Sequence, residues 1–239
     1  MTAIFKREIS SYFTSPLGYV FLAVFYGFSG LFLWMNCLSS GRADMSGVFL
    51  LMFFVIMVLI PVLTMRTFSE ERRQSTDRLN FSSPVSLFGI VFGKYIAAFA
   101  VFMCAAAVML IYALFMAAAV GKSGSQFGWA AFFGNFAAIV LMGAVFTAID
   151  VFISSLTDNQ MIAALGSIGA NIAVCSFDII GNYVSDENVK TVFDFLSVFG
   201  KYSEFTKGLF SLSSVIYFLS LAGIFVFFTT RVLERRRRA

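Results

Sequence analysis

Residues 65–86 read MRTFSEERRQSTDRLNFSSPVS. They gather Arg66, Arg72, Arg73 and Arg78 with Glu70, Glu71 and Asp77, in a chain that otherwise avoids charge. An almost unbroken apolar run, 47–65, leads into this island, and a second run continues beyond it towards residue 120. A globular domain carries about 25% charged residues and lacks apolar runs of such length. This chain of 239 residues is 59% hydrophobic, with 32 Phe and only 13% charged residues. The hydrocarbon core of a bilayer, about 30 Å thick, takes roughly 20 apolar residues as helix. The island is therefore a polar segment at one membrane face, between two spans.

Outward from the island, the stretches 17–38, 47–65, 95–120, 128–156, 160–183 and 211–231 are long and apolar enough to cross. Lipid offers no partner to open backbone groups, so these spans are helices, and no short alternating pattern suggests a barrel. The sequence thus predicts an all-α membrane protein, six transmembrane helices forming a single domain over 1–239. Lys6 and Arg7 precede an apolar run too long for a signal peptide, with no small-x-small cleavage site after it, so 17–38 reads as a retained span. Ahead of it, Phe5, Ile9, Tyr12 and Phe13 share one helical arc while Lys6 and Arg7 take the other. That pattern predicts an amphipathic helix in the membrane interface within 1–16, ended at Ser15 and Pro16.

An even number of spans puts both termini on one side. That side holds Lys6, Arg7, Arg66, Arg72, Arg73, Arg78, Lys94, Arg231 and Arg235 to Arg238, whereas the other keeps only Arg42, Lys122, Lys190, Lys201 and Lys207. The excess of basic residues assigns the first side to the cytoplasm. The closing LERRRRA is then an anchor against anionic lipid and not a nucleic-acid site.

The island itself predicts a helix. Thr67 and Glu70 have capping-box spacing, Glu70 and Glu71 fall in the first turn, Arg78 in the last, and Arg73 and Asp77 are i,i+4 partners. Phe68, Ser75 and Leu79 give only a thin apolar stripe, so the helix is expected on a surface. It should stop near 80–83, with Ser83 capping the next helix and Pro84 in its first turn. A capped, charged helix between two spans suits a handle for a cytoplasmic partner better than a solvated linker.

Three stretches carry a family likeness: KREISSYFTSPLGYVF at 6–21, RTFSEERRQSTDRLNFSSPVSLFGIVFGKYIAAF at 66–99 and VIYFLSLAGIFVFFTTRVLERRRR at 215–238. In this order they resemble type-2 ABC exporter permeases, and most closely the bacterial gliding-motility-type subgroup. The resemblance implies an N-terminal elbow helix (1–16) and a cytoplasmic coupling segment (66–83) that docks on a separate ATPase. Phe68, Glu70, Glu71, Arg72, Arg73 and Asp77 would make that contact. It also implies that ATP and Mg²⁺ are handled by the partner ATPase, that a second permease subunit (a copy or a homologous chain) completes the membrane part, and that the setting is the bacterial inner membrane. Where the family often has Gly-Thr followed by Glu-Leu-Leu after the basic pair, this chain has Ser75, Thr76, Asp77, Arg78 and Leu79.

Chemistry within the chain is sparse. Gly121, Lys122 and Ser123 imitate the end of a P-loop, but Met116 stands where its first glycine belongs and no strand precedes it, so no ATP site is expected here. The chain has no His, and Cys37, Cys104 and Cys175 sit in three different spans without metal spacing, as small buried residues. No catalytic residue, metal site or cofactor is predicted.

Asp150 and Asp178 are carboxylates in apolar spans. Asp178 reads as reaching water near a span end; for Asp150, that reading and a place on a path or in an interhelical pair are equally open. Span five is small-sided through Ala163, Gly166, Ser167, Gly169, Ala170, Asn171 and Ala173, which predicts tight helix packing, with a second subunit as partner. The sharper alternative has Asn171 facing a pore. Val189, Val192, Phe193, Leu196 and Phe199 recur with helical spacing within the outer connection 184–210, predicting an amphipathic helix on the outer face.

The expected function is the permease subunit of an ABC exporter. The alternative is a scaffold or force-transmitting subunit of a surface machine. A secondary transporter fits poorly, because charge within the spans is sparse and no inverted repeat is evident.

Overall fold

The computed structural model describes residues 2–41, 44–74, 86–121, 127–183, 197–206 and 211–238. All regular structure among them is helical: α1 (Thr2–Thr14), α2 (Pro16–Leu33, continued by a wider π turn over Trp34–Leu38), α3 (Ser46–Thr64), α4 (Arg66–Arg73), α5 (Leu87–Ala106), α6 (Val108–Gly121), α7 (Trp129–Leu156), α8 (Gln160–Tyr183), α9 (Val198–Thr206) and α10 (Leu212–Arg238). Six helical units have the length and apolarity to cross a bilayer: Pro16–Leu38, Ser46–Arg73, Leu87–Ala119, Trp129–Leu156, Gln160–Asp178 and Leu212–Arg237. The all-helical, six-span membrane fold expected from the sequence is the one adopted.

Helix α7, span four, is the centre. Helices α3, α4, α5, α8, α9 and α10 all pack on it, and from Met142 to Val151 every residue is buried. A helix apolar all round belongs in an interior, and α7 has that composition. Its approach to α5 depends on Gly143, where an added Cβ would stand 2.1 Å from the Phe102 ring. Span five lies at the periphery and leaves Met161, Ile162 and Leu165 exposed. Its small residues nonetheless do close-packing work inside this chain. Ala163, Ser167 and Asn171, one helical turn apart, are all fully buried.

Two of the boundaries differ from the sequence reading. The N-terminal helix ends as expected: Ser15 is extended and Pro16 opens α2, where its missing N–H costs nothing. The sequence predicts the apolar run of span three from 95 and its helix from a Ser83 cap with Pro84 in the first turn; the helix starts instead at Leu87, because Ser86 Oγ caps it by accepting from the Gly89 N–H at 3.2 Å and the segment 87–92 is apolar. Lys94 is thus inside a span, not beyond its end.

Span two does not stop at Met65 either. Met65 keeps right-handed helical angles and the chain runs on into α4. The predicted capping box accordingly does not form. Thr67 Oγ1 pairs with the Tyr12 hydroxyl at 3.3 Å, and Glu70 turns to Arg66. Span four supplies the cap instead. Ser154 Oγ accepts from the N–H groups of Phe68 (3.2 Å) and Ser69 (3.4 Å) and donates to the Met65 carbonyl (3.1 Å). The second half of the island, with Asp77, Arg78, Leu79 and Pro84, lies outside the described residues, as do 184–196 of the outer connection. The end of that connection is α9, which buries Val198, Tyr202 and Phe205 against the bundle.

Candidate functional site: two polar nodes around span four

The first node joins α1, α4 and α5. Lys94 Nζ, only 1% exposed, reaches the Thr67 carbonyl at 2.8 Å, Glu71 Oε1 at 2.9 Å and Glu8 Oε1 at 3.1 Å, and lies 5.1 Å above the Phe68 ring. An ammonium has three hydrogens, and three acceptors surround it. Arg7 brings a second positive charge to the same acids, at 3.1 Å from Glu8 and 3.3 Å from Glu71. A buried cation is tolerable only when paired and hydrogen-bonded in this way. Beside it the buried Tyr12 holds Thr67. Burial pushes its phenol up to about 12, so it stays a neutral hydrogen-bonding group at physiological pH.

The rest of α4 is tied as firmly. Arg66 and Glu70 form a two-pronged ion pair at 2.6 and 3.1 Å. Arg72 Nη1 donates to the Leu156 carbonyl at 2.8 Å, a cation on the negative C-terminal end of α7. Of the residues expected at a partner contact, Phe68 points into this chain beneath Lys94. Glu70, Glu71 and Arg72 are half-buried in the contacts above, and Arg73 is exposed with Gln74 beside it. Asp77 lies outside the described residues.

The second node lies within the bundle, where spans two, four and five meet. Pro61 has no N–H, so it cannot make the helical bond to the Met57 carbonyl one turn back. Asn171 Nδ2 of span five points at that free carbonyl at 3.5 Å, and it also donates to Asp150 Oδ1 of span four at 3.0 Å. Asp150 and Asn171 are both fully buried, and Ser167 sits one turn before Asn171 on the same face. Asp150 is therefore an interhelical partner and does not reach water at a span end. Asp178 accepts a 2.7 Å bond from Ser197 Oγ, which in turn caps α9 through the Gly200 N–H at 2.9 Å.

Lys94, Glu8, Tyr12, Ser154 and Pro61 were not singled out from the sequence as site residues. Lys94 had a visible signal, since apolar residues flank it on both sides and acids occur in the two polar segments before it. Pro61 had one as well: a proline inside a span calls for a donor from a neighbour. Ser154 gave none, because its role exists only once α4 is laid against α7. Among the described residues no group of three or more His, Cys, Asp or Glu side chains converges as metal ligands would.

The chain thus has a central span, a polar segment keyed to its end and a buried polar pair across three helices. Comparison with curated proteins gives no significant match. The family model for ABC-2 family transporter proteins matches residues 2–234, nearly the whole length, and the chain belongs to that family.

Proposed function

We propose that this ABC-2 transporter membrane protein is the permease subunit of an exporter, and that α4 is the handle through which a separate ATPase, holding ATP and Mg²⁺, moves the spans. The observation that carries the reading is the way α4 is fastened. It continues span two, takes its cap from span four through Ser154, grips the end of span four through Arg72, and meets the N-terminal helix and span three through Glu71 and Lys94. A push on α4 is transmitted to all of these, whereas a solvated loop would dissipate it. The proposal includes the bacterial inner membrane with cytoplasmic termini, a second permease subunit (a copy or a homologue), surrounding lipid, and the gliding-motility-type subgroup that the motif block resembles.

Outward contact falls to Arg73 and its neighbours, inward transmission to Lys94. Arg73→Glu should leave folding intact but abolish ATPase co-purification, since like charges set against each other across an interface cost several kcal/mol. Lys94→Met should retain ATPase binding and lose permease-stimulated ATP hydrolysis. Wild-type binding and stimulated hydrolysis in both variants would remove α4 from the coupling role.

A further inference from the structure

Asp150 and Asn171 face each other in the apolar interior, and each keeps one oxygen without a partner: Oδ2 of Asp150 and Oδ1 of Asn171. The amide hydrogens of Asn171 are engaged, one on Asp150 Oδ1 at 3.0 Å and one towards the Met57 carbonyl at 3.5 Å. An ionised carboxylate has no hydrogen to give, so both leftover oxygens would then be acceptors without a donor. A protonated carboxyl carries one O–H, and the acceptor it needs is the one left over on Asn171. The two groups would then be joined by a pair of antiparallel hydrogen bonds, amide N–H to Oδ1 and carboxyl O–H to the amide oxygen.

Among the described residues the surroundings supply no counter-charge. Helix α3 has no ionisable side chain, and Asp178, the one acid of α8, binds Ser197 two turns beyond Asn171. On α5, Lys94 is taken by Glu8 and Glu71; on α4, Arg66 pairs with Glu70, Arg72 is on the Leu156 carbonyl, and Arg73 is exposed. On α9, Lys201 lies over the Tyr217 ring of α10 and Glu204 accepts from Ser214; on α10, Arg231 pairs with Glu234 and the further arginines follow at its end. The neutral ionisable groups are also elsewhere: the Tyr95 and Tyr202 hydroxyls donate to the carbonyls of Ala144 and Phe49. The Cys104 and Cys175 thiols are free, and they are exposed and half-buried, not buried as the sequence suggested. Asp150 has no ion pair among the described residues. A buried charge left unpaired is what a folded interior tolerates least.

We propose that Asp150 and Asn171 form a proton-binding site inside the bundle. Asp150 Oδ2 takes a proton from a hydronium ion, an O–H bond forming on the carboxyl as one breaks on the hydronium to leave water, and Asn171 holds the neutral acid while spans four and five stay packed. Parting the two spans admits water, and the carboxyl returns the proton to it. The packing of span five on span four is thereby proton-dependent. Neither an ATPase nor a transport direction enters, so this proposal and the coupling proposal fail separately.

The test is infrared titration of the purified full-length chain in lipid vesicles, with thermal unfolding measured alongside. A carboxylic-acid C=O band should be present at neutral pH. It should disappear in Asp150→Asn and shift in Asn171→Ala, which keeps the acid but removes its partner. A folded state that holds a proton the unfolded chain has already given up loses stability as pH rises. The wild-type midpoint should therefore fall with pH relative to that of Asp150→Asn. Absence of such a band at neutral pH, or one unaffected by either substitution, overturns the proposal. So does a wild-type midpoint raised by sodium but not by choline, which would make the ligand a metal cation.

Discussion

A lysine buried two turns inside a membrane helix stands only if each of its hydrogens has an acceptor. Lys94 meets that condition with one backbone carbonyl and two carboxylates from different helices, so it binds three elements at a single point. Lys94→Met should therefore do more than remove a bond, because it takes the buried cation from between Glu8 and Glu71. The expected loss is about 3–5 kcal/mol, the usual cost of breaking a buried pair from one side, read as a lowered unfolding midpoint in detergent. Adding Glu71→Gln should recover part of it. Lys94→Arg should not rescue, since a planar guanidinium cannot place its donors on three acceptors arranged around a point. Tyr12→Phe probes the same corner more gently, leaving the buried Thr67 hydroxyl without its partner at a cost of about 0.5–1.5 kcal/mol.

At the scale of elements, α4 shows how a local rule yields to a tertiary one. Thr67 and Glu70 have capping-box spacing, yet Ser154 from span four supplies the cap. Ser154→Ala should then loosen α4 by about 1 kcal/mol, as losing a helix cap does, visible as faster amide exchange at Phe68 and Ser69, while Thr67→Val should leave those amides protected. The existence and type of the spans were legible because length and apolarity alone decide them. Their ends were not, because a charge such as Lys94 marks a boundary only when it is solvated, and solvation depends on which helices lie alongside. That Asp150 joins an interhelical pair was one of the readings open in the sequence, but naming Asn171 as its partner and setting aside a span-end carboxylate needed the packing of α8 on α7. Gly143 is a further case. As sequence it is one small residue among several, whereas in the bundle it admits the Phe102 ring. Gly143→Ala should cost about 1–3 kcal/mol by overpacking, and Phe102→Leu in the same chain should return part of it.

The whole molecule has two polar ends, and they decide which segments share a side. At one end α1, α4, the first turns of α5 and the last turn of α7 are knotted through Lys94, Ser154 and Arg72. At the other, the start of α3 meets the start of α7 through Asn135 and Ser46 at 3.2 Å, and Tyr202 of α9 donates to the Phe49 carbonyl at 3.2 Å. The N-terminal helix and the island therefore share an end that α9 does not. The same end carries Lys6, Arg7, Arg66, Arg72 and Arg73, and the path through six spans returns the basic tail to it. Charge bias and internal bonding are independent sources of the same division, one acting during insertion and the other in the folded state. Single cysteines at positions 73 and 122, in a background lacking Cys37, Cys104 and Cys175, should accordingly label from opposite faces. In intact cells an impermeant maleimide should reach position 122 and spare position 73, and in inverted vesicles the pattern should reverse. Labelling of both positions from one face would break the division into ends. A clean reversal, with position 73 reached from outside, would keep the division but turn the molecule over, placing α4 where no cytoplasmic ATPase could touch it.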